Sequence, residues 1–360
     1  MVTRGAHLGP GGDPAGEHEH LQLTTLAGWR SFVTERPSVP DLLPEAIWSE
    51  LEEDKRACYD DDRIDHHSRL LVVQTPAIRQ VITSGRLLIQ LNKNAHYGRC
   101  GLMVSGPART GKTTALTQLG RAHEIAIRKR HPAQADRLPV IYVAVPPAAT
   151  ARMLAVEFAR FLGLELPARA NLTDITNTVC SVAAHTHVDL VLVDEIHNIS
   201  LATRTGAEVS DQLKYFAERL PATFVYAGVE VEAQGLFAGA RGRQIAGRFT
   251  VITAAPFAYG TPDQRRAWQA LVATLESTLR LREHAPGTLP AMAEQLYRRT
   301  GGMIGSLSQL IRGAAILAIE TGTERITEDL LDLVPIDYAA ELAAASTRAR
   351  PGALGRAAAL

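Results

Sequence analysis

From residue 101 to 257 the chain alternates short apolar runs with longer stretches of helical length. The runs are GLMVS (101–105), PVIYVAV (139–145), VDLVLVD (188–194), ATFVYAG (222–228) and RFTVITAAPF (248–257). Apolar residues at consecutive positions suit a strand covered on both faces, and helix-length connections suit parallel pairing, because a parallel crossover has to travel back along the sheet. The pattern predicts an α/β fold with a doubly wound parallel five-stranded sheet. After Pro256 the alternation stops and helical periodicity takes over at 262–282, 288–299, 305–320 and 326–333, the last opened by Thr327 as N-cap. That change predicts a C-terminal all-helical lid. Ahead of the sheet the pattern is helical too, and over 77–92 Ile78, Val81, Ile82, Leu87, Leu88 and Leu91 make a broad apolar face. The expected division is a disordered N-terminus at 1–26, a helical extension at 27–97, a core at 98–258, the lid at 259–338 and a flexible tail at 339–360. The two ends owe that reading to Gly, Pro and His on one side, and small residues with Arg on the other, without periodicity.

Composition narrows the class. At 360 residues and 46% hydrophobic, the chain can fill a sizeable core. Lys plus Arg equals Asp plus Glu at 38 each, so any nucleic-acid contact has to come from a local patch rather than an overall basic field. No apolar stretch approaches the ~18 residues of a membrane span, and the first twenty residues lack the apolar core of a signal peptide. Cys58, Cys100 and Cys180 lie far apart beside apolar neighbours and form no C-x-x-C pair. They read as reduced core thiols, and the compartment as cytoplasmic.

The stretch SGPARTGKTT, directly behind the first apolar run, carries the strongest chemistry. Gly106, Pro107, Ala108, Arg109, Thr110, Gly111, Lys112 and Thr113 fit G-x-x-x-x-G-K-[ST], with Thr114 following. Glycines let backbone wrap a phosphate, while the helix behind offers free N–H groups and the positive end of its dipole. Lys112 suits the β- and γ-phosphates as a point charge, and the Thr113 hydroxyl suits Mg²⁺ as a neutral oxygen ligand.

Such a loop needs an acid at the end of a neighbouring buried strand, and Val188 to Glu195 supplies two. Asp194 is placed for the Mg²⁺ shell and Glu195 for polarising a water at the γ-phosphate, the Walker B arrangement. An acid pair favours hydrolysis over simple phosphoryl transfer or switching. No N-K-x-D guanine reader follows the loop, which favours ATP, and no L-S-G-G-Q segment marks a transporter ATPase.

The order of phosphate loop, Asp-Glu pair, arginine before the fifth strand and helical lid resembles the AAA+ superfamily of P-loop NTPases. More narrowly the chain resembles the TniB/TnsC ATPases of DNA transposition, through SGPARTGKTT, VDEIHNIS, SDQLKYFAERLPATFVYAGVE, AGRF at 246–249, the step Pro256-Phe257, and RRTGGMIGSLSQLIRGAAILAIETG at 298–322. The resemblance spans roughly 100–335. It implies an ATP- and Mg²⁺-dependent homo-oligomer, ring or filament, that loads on duplex DNA without sequence preference and signals to a transposase. It also implies that Arg248 reaches the γ-phosphate held by a neighbouring copy, a role suited to a planar fixed charge. Two departures stand out: Tyr226 to Glu230 lacks the usual Asn or Thr that reads the γ-phosphate, leaving Glu230 or a backbone group as the stand-in the sequence offers, and Gly301 to Gly305 lies where many relatives carry a sensing arginine. They imply slow, partner-stimulated hydrolysis.

In the resembled family the loop after the acid pair faces DNA, which makes Thr203, Arg204 and Thr205 candidates for phosphate contacts. The cluster Arg128, Lys129, Arg130 and His131 suits a solvated helix C-terminus. The pairs His18/His20, His66/His67 and His185/His187 have neither Cys partners nor the spacing of a zinc helix, so no metal site is expected there. His197 is instead a candidate partner of Glu195. Two rivals share the ATPase core: a STAND-type signalling switch, which adds a long repeat region, and a helicase-loader or initiator ATPase, which adds a winged helix for which 326–360 is too short.

Overall fold

The computed structural model describes residues 21–167, 169–199, 203–231, 247–338 and 340. Ahead of the sheet run α1 (Leu26–Thr34), α2 (Glu45–Ser49), α3 (Glu53–Ser68) and α4 (Pro76–Asn92). Then come β1 (Gly101–Ser105), α5 (Lys112–Arg130), β2 (Val140–Ala144), α6 (Ala151–Phe161), α7 (Leu172–His185), β3 (Leu190–Asp194), α8 (Arg204–Arg219), β4 (Thr223–Gly228) and β5 (Phe249–Thr253). All five predicted strands form, in the order β2-β3-β4-β1-β5, and every neighbouring pair is parallel. Because the strands share one direction, their carboxyl ends, among them Ser105, Asp194, Gly228 and Thr253, lie along one edge of the sheet, the edge at which parallel α/β sheets bind ligands.

Burial explains the sequence pattern. Every residue of β1, β3 and β4 is buried, as expected for central strands covered on both faces. The edge strand β5 leaves Thr250, Val251 and Thr253 exposed. One core runs from Trp29 to Ala254 around this sheet, and a second from Trp268 to Val334 fills the lid. The lid comprises α9 (Pro262–Glu276), α10 (Thr288–Ala291), α11 (Ala293–Thr300), α12 (Ile304–Glu320) and α13 (Glu328–Leu333). Thr261 and Gln264 form a reciprocal capping box that starts α9, and Thr327 caps α13 as expected. Two lid helices are shorter than their periodicity suggests. The first stops at Glu276, and the second is broken at Met292 (φ −90°, ψ 10°).

Residues 27–97 divide their packing between the two cores. Trp29 of α1 is fully buried, stacks on Tyr142 (5.8 Å, 12°) and donates its indole N–H to Glu124 of α5. Helix α4 lies against α5 and over β1. Its apolar face is narrower than the sequence suggests: Ile78, Val81, Leu88 and Ile89 are buried, but Leu87 and Leu91 are 59% and 65% exposed. A helix lying on a flat layer covers only one stripe of its circumference. By contrast α3 packs on lid helix α12. There the fully buried Arg63 donates to Glu324 (2.7 and 2.8 Å) and to Asp60, and Arg282 also bonds Glu324 (3.1 Å).

The cysteine reading needs correction. Only Cys180 is buried; Cys58 on α3 and Cys100 before β1 are exposed. All three are free thiols. The termini 1–20 and 341–360 lie outside the described residues, as do His18 and His20.

Candidate functional site

The phosphate loop begins where β1 ends. Gly106 has φ +153°, and a Cβ there would sit 2.2 Å from the Ala254 carbonyl oxygen, so only glycine permits this turn beside β5. Gly111, at φ +90°, caps α5 through backbone alone, leaving the first-turn N–H groups without a side-chain acceptor. Lys112 opens the helix, 9% exposed, and its ammonium donates to the Pro107 carbonyl (2.6 Å), as does the Thr110 hydroxyl (2.9 Å). Burial lowers the pKa of Lys112, opposed by Asp194 and Glu195. Thr113 is exposed in the first turn of α5 and Thr114 is half-buried.

The acid pair stands at the end of β3, two strands from β1 and hence about 10 Å away across the sheet. Asp194 is 3% exposed; one oxygen accepts the Tyr142 hydroxyl (3.2 Å) and the other the Glu195 amide (2.8 Å). Burial, then Asp194, raises the Tyr142 pKa and keeps that hydroxyl a donor. Glu195 takes the left-handed conformation (φ +56°, ψ 33°), uncommon for a residue with a side chain, and leads into a single 3₁₀ turn at Ile196–Asn198. Its carboxylate is half-exposed and 3.2 Å from Nε2 of His197, the partner expected from sequence. The other ring nitrogen, Nδ1, accepts the Val229 N–H just beyond β4 (3.4 Å).

These elements enclose a cavity of about 430 Å³. Ala108 to Thr114 form one side, and Glu195, His197 and Val229 another. Three contributors are invisible to the motif search. The extended segment Leu70 to Val73, with Ile78 of α4, gives an apolar wall; Leu275, Ile304 and Ser308 come from the lid. The signal for the wall was the run LLVV ahead of Thr75-Pro76, an N-cap followed by proline, which breaks helical periodicity before α4. Ser308 is 4% exposed, and its hydroxyl has no hydrogen-bond partner among the described residues. A buried hydroxyl facing a cavity without a partner costs stability that a polar ligand atom can restore.

The lid touches the loop directly. The Gly305 amide donates to the Arg109 carbonyl (2.9 Å), and the Arg109 guanidinium reaches Gln309 (2.7 Å) and Asp337 (3.5 Å). At this contact the lid leaves little room for a side chain: a Cβ on Gly305 would lie 3.0 Å from the Arg109 oxygen.

Other candidates fall elsewhere. Arg248 is exposed at the amino end of β5, its carbonyl accepting the Gly101 N–H (2.8 Å), far from the carboxyl edge that holds Lys112 and Glu195. It does not line the cavity of its own chain. Thr203, Arg204 and Thr205 do not form a loop as expected. Thr203 caps α8 by accepting the Gly206 N–H (3.1 Å), and Arg204 and Thr205 are the first residues of the helix. Arg204 is solvent-exposed beside Glu208 (3.1 Å); residues 200–202 lie outside the described residues. Arg128 is not merely solvated, since it pairs with buried Glu124 (2.6 Å). No group of three or more His, Cys, Asp or Glu suited to a metal occurs among the described residues, and no single described helix is long and apolar enough to cross a membrane.

No curated protein is significantly similar to the chain. Among solved structures it is similar to the ORC1 protein of Aeropyrum pernix in complex with DNA, at 15% identity and TM-score 0.53, over 78% of this chain and 69% of that one. The ADP form of the Aeropyrum pernix ORC2 protein is similar at 16% identity and TM-score 0.56, over 74% and 70%. At these identities the likeness is one of fold, the AAA+ P-loop sheet with a helical lid. The family model described as bacterial TniB protein matches residues 63–259, more than half of the 360. With its phosphate loop, acid pair and lid in that arrangement, the chain belongs to the TniB family.

Proposed function

We propose that this TniB-family chain binds ATP with Mg²⁺, hydrolyses it to ADP and phosphate, assembles as a homo-oligomer on duplex DNA, and regulates transposition through target selection and transposase activation. The observation that carries the reading is one cavity lined by both Lys112 and Glu195, with Asp194 beside them. Its parts fit a nucleoside triphosphate. The amides ahead of α5 and Lys112 suit phosphate oxygens, the Leu70–Val73 wall suits an apolar base face, and Ser308 supplies an uncommitted hydroxyl.

Thr113 and Asp194 would hold the Mg²⁺, which neutralises charge on the β- and γ-phosphate oxygens. Asp194 suits that place because each of its oxygens accepts one protein hydrogen bond and keeps a lone pair. Glu195 accepts the proton of the attacking water as oxygen bonds to the γ-phosphorus. The bond between the γ-phosphorus and the oxygen bridging to the β-phosphate breaks, and its electron pair leaves on that oxygen with ADP. Arg248, remote from its own cavity, serves the site of the next copy. Exposed Arg204 and Thr205, with Thr203, lie where phosphate contacts without sequence preference can form. The ORC1 protein of similar fold was solved with DNA, which supports this reading without assigning these contacts.

Sedimentation velocity with a non-hydrolysable ATP analogue, with and without a random-sequence duplex across a salt series, tests the whole. Large species requiring both nucleotide and duplex, and weakening as salt rises, are expected. Assembly indifferent to duplex would replace DNA loading with a signalling switch.

A further inference from the structure

We infer that His197 is the positioning residue that fixes the water-activating carboxylate of Glu195 and ties it to the end of β4, in place of a side chain that reads the γ-phosphate. The inference rests on the hydrolytic reading above and adds a role for a residue outside the phosphate-loop and acid-pair motifs.

Three observations carry it. First, β4 lies between β1 and β3, so its carboxyl end stands between the phosphate loop and the acid pair. That end, Gly228 and Val229, offers no polar side chain to a phosphate. Second, the His197 ring bridges this end to the acid: Nδ1 accepts the Val229 N–H at 3.4 Å and Nε2 lies 3.2 Å from the Glu195 carboxylate. A backbone amide can only donate, so Nδ1 carries no proton, and the neutral ring's hydrogen sits on Nε2, the nitrogen nearer the carboxylate. The tautomer is thereby set by the main chain of β4. Third, the close packing leaves little freedom: a Cβ on Gly228 would meet Ile196 at 2.6 Å and the His197 amide nitrogen at 3.1 Å.

The chemical consequence follows from the carboxylate's two oxygens. His197 stands 3.2 Å from Oε2 and leaves Oε1 to take the proton of the attacking water. Without the imidazole, Glu195 is a half-exposed side chain free to take several rotamers. A shift of the β4 end passes through one hydrogen bond to His197 and, from there, through the 3.2 Å polar contact between the ring and Glu195. The end of β4 therefore governs turnover through the imidazole and not through direct contact with phosphate.

The test uses the full chain, with and without random-sequence duplex, and measures steady-state ATP turnover together with the Kd of a fluorescent ATP analogue. His197→Phe keeps the ring's bulk and removes both polar atoms; His197→Gln keeps an acceptor and a donor at similar separation. The expected result is a fall in kcat of about 10- to 100-fold for His197→Phe, the usual range for residues that orient a reacting group. Nucleotide Kd stays within about twofold and His197→Gln regains most of the activity. His197→Phe added to Glu195→Gln should lower turnover no further, because both act through one carboxylate. A second readout needs no turnover: in ¹⁵N spectra of the histidine rings, the signals lost in His197→Gln should be those of a neutral Nε2–H tautomer.

Parent-like kcat in His197→Phe, or a Kd that weakens in step with kcat, overturns the inference. So does a penalty that adds to that of Glu195→Gln, or an Nδ1–H tautomer. If Glu195→Gln itself turns over like the parent, or the parent never turns over, the hydrolytic reading falls and takes this inference with it. If Glu195→Gln is inactive while His197→Phe is normal, only the inference falls.

Discussion

Removing the ammonium of Lys112 should cost nucleotide affinity far more than stability. Its hydrogen-bond partner among the described residues is one carbonyl, that of Pro107, whereas phosphate oxygens offer it charge-assisted bonds. Two such bonds at about 1.5 kcal/mol each predict roughly a 100-fold weaker Kd for Lys112→Ala, measured by titration with a fluorescent ATP analogue. A Kd within a factor of a few of the parent would remove Lys112 from the site. Ser308 predicts a split of opposite signs. Its buried hydroxyl has no partner among the described residues, so Ser308→Ala should raise the melting temperature of the ligand-free chain while weakening nucleotide binding by about 3- to 10-fold. Loss of both stability and affinity would show that the hydroxyl serves packing, not the ligand. The motif residues were legible because phosphate chemistry restricts residue types at fixed spacing. Ser308 was not, since nothing in a lid helix sequence marks which serine lacks a partner.

Helix α3 illustrates what one element can do to another. It is polar along most of its length, yet Arg63, His66 and His67 are buried against the lid. Burial pulls the His67 imidazole down to about 3, reinforced by His66 and Arg63, and its Nε2 accepts the Arg280 N–H (3.1 Å). The folded pKa lies below the ordinary value near 6.5, so the unfolded chain binds the extra proton as pH falls. This contribution is therefore complete above about pH 6.5 and is lost progressively down to about pH 3, the loss reaching about 2 kcal/mol at pH 5. Glu324 acts in the same direction at lower pH. Burial opposes its ionised form, but hydrogen bonds from Arg63 and Arg282 prevail and hold its pKa below the usual range. Urea unfolding at pH 7 and pH 5 should show the parent losing stability while His67→Gln loses less. Equal midpoints at both pH values would rule this out. Sequence marked the stretch ahead of the sheet as helical but not where α3 seats, because an acidic, histidine-rich pattern shows no face to bury until the lid brings Glu324 to Arg63.

For the whole molecule, the placement of Arg248 has a consequence that only mixed assemblies can report. It stands at the amino edge of the sheet while the cavity opens at the carboxyl edge, so one copy cannot bring the two together. Arg248→Ala and Lys112→Ala should each turn over ATP poorly on duplex DNA. Mixed in equal amounts they should recover part of the parental rate, since about a quarter of random interfaces join two intact halves, the arginine of one copy and the lysine of the other. No recovery at any ratio would exclude a role in trans. The lid adds a second link at this scale. Arg109 of the phosphate loop is bonded to Gln309 and paired with Asp337, so movement of the lid cannot leave the loop undisturbed.

By itself the sequence determined the parallel sheet, the lid, the phosphate loop and the acid pair. Consecutive apolar positions at strand length, helical periodicity and the narrow chemistry of phosphate binding are all local in sequence. Only the tertiary structure decided that α4 hides Ile78 and Val81 but shows Leu87 and Leu91, that Leu70–Val73 walls the cavity, and that α3 belongs beside the lid. It also decided that His197 bridges β4 to Glu195. These facts depend on which surfaces meet across tens or hundreds of residues, and hydrophobic pattern sets how much of an element is buried but not against what.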